Sequence, residues 1–275
     1  MHPILIDLGW LRLPTYGTLF ALALIAAIYT VIRLGRREGL DATQLLDFST
    51  WLLIVGLLGS KLLLILTDWE SFGSLSAVFS WNTLQAAGVF YGGFAAATFF
   101  AIWYIKVHRL PLLKVFDVYV PGIALAQSVG RLGCFAAGCD YGKPTQSFLG
   151  VVFTNPISHE FTGVPLNVRI YPTQIIESLA TFLIFGILLW RFGKKKYDGQ
   201  IFVIYLALYG VARFLIEFLR GDEDRGFVFN HLLSTSQFIA IIALVGAAAM
   251  AWKLGGRARE TREGAVPLQT KRARG

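Results

Sequence analysis

Residues 16–37 read YGTLFALALIAAIYTVIRLGRR. A membrane-spanning helix needs about 20 mostly apolar residues, because the hydrocarbon core is about 30 Å thick and each residue rises about 1.5 Å. This stretch meets that requirement over 16–34. Its charges argue against a cleaved signal peptide. Only Arg12 precedes the apolar run, whereas Arg33, Arg36 and Arg37 follow it, which inverts the order of a cleaved signal. It reads as a first span whose N-terminus lies outside.

Outward from this stretch, six more qualify: 45–66, 84–105, 116–138, 173–192, 200–220 and 235–254. The expected fold is an all-α polytopic membrane protein with seven transmembrane helices. Composition agrees: 15% of the 275 residues are charged and 55% hydrophobic, where soluble chains carry about a quarter charged. Basic residues set the orientation. Arg33, Arg36 and Arg37, then Lys106, Arg109 and Lys114, then Arg191, Lys194, Lys195 and Lys196, and the tail from Lys253 to Arg274, fall on one side. Arg12, Lys143, Arg169, Arg220 and Arg225 fall on the other. The N-terminus is therefore expected outside and the C-terminus in the cytoplasm. The net charge of +8 belongs to membrane orientation and anionic lipid, not to nucleic acid.

Residues 1–255 read as one transmembrane domain and 256–275 as a basic, disordered cytoplasmic tail. A long periplasmic loop region, about 139–172, joins the fourth and fifth spans. Its LGVVF (149–153) and VRI (168–170) stretches suggest short strands, and loops of this length are often functional. No internal repeat is evident, which weighs against a transporter made of matched halves.

Ionisable groups within spans are costly and therefore mark candidate sites. The fourth span ends AQSVGRLGCFAAGCDYG (126–142), where Gln127, Arg131 and Cys134 share a helix face. The sixth ends YGVARFLIEFLRGDEDRG (209–226), where Tyr209, Arg213, Glu217 and Arg220 form one stripe and Arg213 can pair with Glu217. Snorkelling of Arg131 and a purely structural Arg213–Glu217 pair are the competing readings. Two arginines on different helices near the outer leaflet favour phosphate, since the planar guanidinium suits a phosphodiester and phospholipid head groups abound at that depth.

Other polar residues are less decisive. YPTQIIES (171–178) opens the fifth span and points Gln174 and Glu177 inward. Tyr16 begins the first span and also fits an aromatic belt. Tyr91 precedes Gly92 and Gly93, which allow either helix packing or close approach of a ligand. Lys61 fits snorkelling. The four histidines lack metal-ligand spacing, and Cys134 and Cys139 are not a CxxC pair. No metal site is expected. A Cys134–Cys139 disulfide requires Gly138 to break the helix, because residues five apart on a continuous helix point about 140° apart.

GRLGCFAAGCDYG (130–142) resembles the signature of the prolipoprotein diacylglyceryl transferases, roughly G-R-x-G-N-F-x-N-x-E-x-x-G, with Gly130, Arg131, Gly133, Phe135 and Gly142 matching. RFLIEFLR (213–220), YPTQIIES, PTYGTLFAL (14–22) and GSKLL (59–63) resemble further family elements, in order, over about residues 1–250. Tyr91 and Tyr171 stand where the family has histidines, Lys61 where it has an arginine, Cys134 and Ala137 where it has asparagines, and Cys139 where it has a glutamate.

The resemblance implies a multi-pass enzyme of the bacterial inner membrane that needs no cofactor. Its substrates would be phosphatidylglycerol and the lipobox cysteine of prolipoprotein signal peptides. Arg131, Arg213 and Tyr91 would be catalytic. Arg131, Tyr16, Gly92, Gly93, Gly142, Gln174, Glu177 and Glu217 would bind substrate. A non-catalytic lipid or solute carrier of the same fold, and a relative that uses another acceptor, are the alternatives.

Overall fold

The computed structural model describes residues 2–8, 12–69, 88–222, 226–228 and 232–264. Its long helices are α1 (Thr15–Arg37), α2 (Ala42–Thr67), α3 (Phe90–Val107), α4 (Leu112–Ala137), α6 (Thr173–Phe192), α7 (Gln200–Ile216) and α8 (Thr235–Gly264), with short α5 (Pro156–Thr162) between α4 and α6. Among the described residues six helices are long and apolar enough to cross a membrane. The third expected span, 84–105, begins outside the described residues, and its described part lies in α3. The protein is thus a multi-pass helical membrane protein. Its outward Leu57, Leu62, Phe99, Leu183 and Trp190 are more than half exposed, as lipid-facing side chains should be.

The chain divides into two compact units, Ile32–Val115 and Met1–Val31 with Phe116–Gly275. In the first, Asp41 caps α2 by accepting from the Gln44 amide at 2.8 Å, using a donor that the helix itself leaves unpaired. Glycines bring α2 and α3 together: a Cβ on Gly93 would lie 2.8 Å from the Gly56 carbonyl, and one on Gly92 would strike Leu63 and the Gly59 carbonyl. Phe48 stacks on Tyr104 at 4.7 Å beside this seam.

In the second unit, α1 meets α4 at Gly122, whose added Cβ would stand 2.9 Å from the Ala27 carbonyl. Helices α4 and α6 exchange hydrogen bonds. Ser128 Oγ donates to the Ser178 carbonyl at 2.9 Å, and Ser178 Oγ to the Ser128 carbonyl at 2.8 Å. At the other end of α4, buried Asp117 accepts from the Gly199 amide at 2.8 Å and the Phe202 amide at 3.0 Å, and pairs with Lys195 at 3.3 Å. That carboxylate satisfies the first turn of α7.

The expected strands form. β3 (Val151–Val152) and β4 (Arg169–Ile170), in LGVVF and VRI, pair antiparallel. Asn155 caps α5, Pro156 opens it, and Gly163 ends it in the left-handed conformation at φ 69°. Phe153, Val164 and Ile170 are fully buried beneath this loop. Two other hairpins, β1 (Ile4–Asp7) with β2 (Arg12–Pro14) and β5 (Phe227–Val228) with β6 (Leu233–Ser234), have no counterpart in the sequence reading.

Residues 141–145 run between two partners. Lys143 donates to the Leu219 carbonyl at 2.8 Å and Gly221 to the Tyr141 carbonyl at 3.0 Å. On the other edge Tyr171 donates to the Lys143 carbonyl at 3.0 Å and Thr145 to the Arg169 carbonyl at 2.9 Å. The span itself runs over Gln200–Leu219, and this ribbon corrects the placement of Arg220 on the helical stripe. The α-helix ends at Ile216, Glu217–Leu219 tighten into a 3-10 turn, and Arg220 is extended at φ −71°, ψ 141°. Backbone partners from 141–143 pull residues 219–221 off the helical path, so Arg220 leaves the stripe of Tyr209 and Arg213. At the C-terminal end α8 continues to Gly264, past residue 256 where the tail was expected to begin, and residues 265–275 lie outside the described set.

Candidate functional site

The signature segment builds the site by ending α4 abruptly. Helix α4 stops at Ala137, Gly138 turns left-handed at φ 98°, and Asp140 follows at φ 57°. Glycine takes such a conformation without strain, and aspartate is among the few side chains that tolerate it. The reversal brings Asp140 back over the last turn of α4, where Arg131 Nη1 pairs with Asp140 Oδ2. Arg131 Nε also pairs with Glu177 Oε1 of α6 at 3.1 Å. Arg131 is therefore held inward by two carboxylates rather than snorkelling.

Arg220, brought in by the 141–143 ribbon, meets the same aspartate from the other side. Its Nη2 donates to Asp140 Oδ1 at 2.5 Å, and its Nε to Asp222 Oδ1 at 2.9 Å. Burial alone would push the Asp140 carboxyl upward, but Arg131 and Arg220 beside it outweigh burial and hold it below the usual carboxylate range. Arg213 and Glu217 form the pair that their spacing suggested, at 3.0 Å, with the glutamate side chain only 2% exposed. Arg213 Nη2 also donates to Ser236 Oγ of α8 at 2.8 Å. Charges this deep persist only when paired.

The N-terminus of α6 fastens the turn. Thr173 Oγ1 donates to the Asp140 carbonyl at 2.8 Å, and Gln174 Nε2 to the Cys139 carbonyl at 2.7 Å. Gln174 Oε1 is buried with no hydrogen-bond partner among the described residues. Gln127 accepts from the Tyr205 hydroxyl at 3.0 Å, and Tyr205 stacks on Tyr209 at 5.6 Å. Tyr16 covers Gly133, whose added Cβ would lie 3.1 Å from its ring. Gly142 faces Tyr171, and a Cβ there would stand 2.7 Å from the Tyr171 Cβ.

Of the residues singled out from sequence, Arg131, Arg213, Glu177, Glu217, Gln174, Gly142 and Tyr16 all belong to the unit containing Phe116–Gly275. Tyr91, Gly92, Gly93 and Lys61 belong to Ile32–Val115. There Gly92 and Gly93 admit α2, and Tyr91 is more than half exposed. Asp140, Thr173 and Ser236 were missed. A carboxylate two residues after a glycine that ends a helix was the available signal for Asp140.

Neither cysteine is disulfide-bonded, although Gly138 breaks the helix as a bond would require. Cys134 is buried and Cys139 partly so. The Cys139 thiol is pushed upward by its hydrogen bond with Cys134 and by burial, which disfavours the reactive thiolate. The two sulfurs and an Asp140 oxygen lie within 4.8 Å of one another. Arg131 and Arg220 already neutralise Asp140, and their positive charges disfavour a further cation there.

Fold and site together define a class: a multi-span helical membrane protein with largely buried arginines clamped by carboxylates where α4 and α7 end and α6 begins. A family model described as prolipoprotein diacylglyceryl transferase matches residues 3–253. The phosphatidylglycerol–prolipoprotein diacylglyceryl transferase of Clostridium tetani is 37% identical over 245 residues, 89% of this chain and 94% of its own length. Transferase 2 of that name from Clostridium perfringens is 36% identical over 249 residues, covering 90% and 93%. That from Finegoldia magna is 30% identical over 243 residues, covering 87% and 88%. The chain belongs to the prolipoprotein diacylglyceryl transferase family.

Proposed function

We propose that this protein transfers the diacylglyceryl group of phosphatidylglycerol to the lipobox cysteine thiol of prolipoprotein signal peptides, as its relatives' names state for them. The observation that carries the reading is the cluster of Arg131, Arg213 and Arg220, each oriented by carboxylates. Preorganised guanidinium groups suit a phosphate that gains charge in a transition state.

In the reaction, the acceptor sulfur forms a bond to the terminal diacylglyceryl carbon as that carbon's bond to the phosphate oxygen breaks. The electron pair leaves with glycerol phosphate, and the thiol proton goes to water or to the departing phosphate. Arg131 and Arg213 hold the phosphate and stabilise its growing charge. Tyr91 acts as a hydrogen-bonding group through its phenol hydroxyl. Tyr16, Gly92, Gly93, Gly142, Gln174, Glu177 and Glu217 bind or frame the substrate. Seven spans, an external N-terminus, a cytoplasmic C-terminus and an inner-membrane location belong to the same proposal.

A second reading, a lipid carrier without transfer chemistry, is favoured by one observation: a cysteine, Cys139, stands where the family signature has glutamate. Mass spectrometry of a lipobox peptide incubated with phosphatidylglycerol and the purified protein separates the two. A thioether-linked diacylglyceryl adduct on cysteine is expected. An unmodified peptide, with phosphatidylglycerol still bound by folded protein, would establish the carrier instead.

A further inference from the structure

We propose that Asp140 is a positioning residue for the transfer reaction, the strut that sets Arg131 against Arg220. The inference rests on the transferase reading above. Its two carboxylate oxygens take different arginines from different elements: Oδ2 pairs with Arg131 of α4, and Oδ1 with Arg220 beyond the 3-10 turn. A carboxylate held in this way has two possible roles. It is either a stand-in for an anion that substrate phosphate displaces, or a fixed brace for the arginines.

The backbone decides for the brace. The Asp140 carbonyl is held by Thr173 and the Cys139 carbonyl by Gln174. One residue further on, Tyr141 and Lys143 pair with Gly221 and Leu219. The left-handed conformation of Asp140, at φ 57°, is thus fastened on both sides, which fixes the direction of its Cα–Cβ bond, so the carboxylate can leave only by turning about that bond and giving up both arginines. Together Asp140 and Glu177 engage two different nitrogens of Arg131, Nη1 and Nε. Two charge-assisted contacts fix the plane of a guanidinium, and its five N–H groups leave donors for a phosphate. Arg220 is fixed in the same way between Asp140 and Asp222. The family signature places its glutamate at the position of Cys139. In this chain the nearest carboxylate, Asp140, stands one residue later.

The test measures turnover of a lipobox peptide at varied phosphatidylglycerol, together with thermal unfolding in detergent. Asp140→Asn is expected to lower kcat by at least about tenfold. It should leave KM for phosphatidylglycerol within about threefold, since a positioning loss falls on the transition state rather than on ground-state binding. The double variant Cys139→Glu with Asp140→Gly moves the carboxylate back by one residue and keeps a left-handed backbone at 140. It is expected to regain most of the lost kcat with KM for phosphatidylglycerol still within about threefold, the pattern of a restored positioning carboxylate.

Unchanged kcat in Asp140→Asn overturns the proposal. So does a lower KM with kcat retained, which identifies the displaceable stand-in. A folded but inactive double variant overturns it as well. Should Asp140→Asn fail to fold, the double variant alone decides by the same criterion. A wild-type protein that binds phosphatidylglycerol yet transfers nothing overturns the transferase reading, and this inference with it.

Discussion

At the scale of single residues, the site depends on guanidinium geometry as much as on charge. Lysine keeps the charge of Arg131 or Arg213 but loses the planar fork that grips two oxygens. Each lysine variant should lose at least about tenfold in turnover, roughly 1.4 kcal/mol of transition-state stabilisation. Near-normal turnover by both would remove the phosphate clamp. Asp140 makes a pH prediction. Its carboxyl titrates below the ordinary value in the folded protein because of Arg131 and Arg220. A depressed carboxyl stabilises the fold above its unfolded value, about 4, and that contribution is lost as pH falls through the lower folded value. The difference in melting midpoint between wild type and Asp140→Asn should therefore be widest near pH 6 and shrink below about pH 4. A constant difference would mean that the carboxylate charge contributes nothing. Arg131 and Arg213 were legible because an arginine inside an apolar span is conspicuous. Asp140 was not, because it lies beyond the span, where an acidic residue is unremarkable.

At the scale of elements, the ribbon 141–145 connects the end of α4 to the end of α7. It crosses residues 219–221 at two glycines: a Cβ on Gly221 would lie 2.7 Å from the Gly142 carbonyl, and one on Gly142 would press into Tyr171. Gly142→Ala is therefore expected to cost about 1–3 kcal/mol of stability, the usual range for overpacking a tight contact. It should also lower activity, since the ribbon directly follows Asp140 and bonds to the residues on either side of Arg220. Thermal unfolding and turnover measured together check this, and an alanine variant with wild-type values in both would show that the ribbon has slack. The spacing of Arg213 and Glu217 made their pair readable in advance, because i and i+4 meet on any helix. The same rule extended the stripe to Arg220 and failed there. Helical spacing holds only while the helix continues, and long-range backbone bonds end it at Ile216.

For the whole molecule, the basic residues yield a topology that can be checked without any activity assay. A reporter fused after residue 197 should read as cytoplasmic and one near 155 as external, since basic residues such as Arg191, Lys194, Lys195 and Lys196 are the kind that favour the cytoplasmic side. Swapped signals would overturn the orientation and place the arginine cluster at the wrong leaflet. The sequence by itself determined the membrane class, the helical spans and the arginines worth attention. Those are properties of local composition: hydrocarbon length selects about 20 apolar residues, and a buried charge stands out against them. Only the tertiary structure decided what the arginines hold. Arg131, Asp140, Glu177 and Arg220 come together through a left-handed turn at Gly138, side-chain bonds from Thr173 and Gln174, and a ribbon joining 141–145 to 169–171 and 219–221. The ribbon's bonds run between backbone amides and carbonyls, which every residue but proline offers alike, so side-chain identity left no mark from which the sequence could announce them.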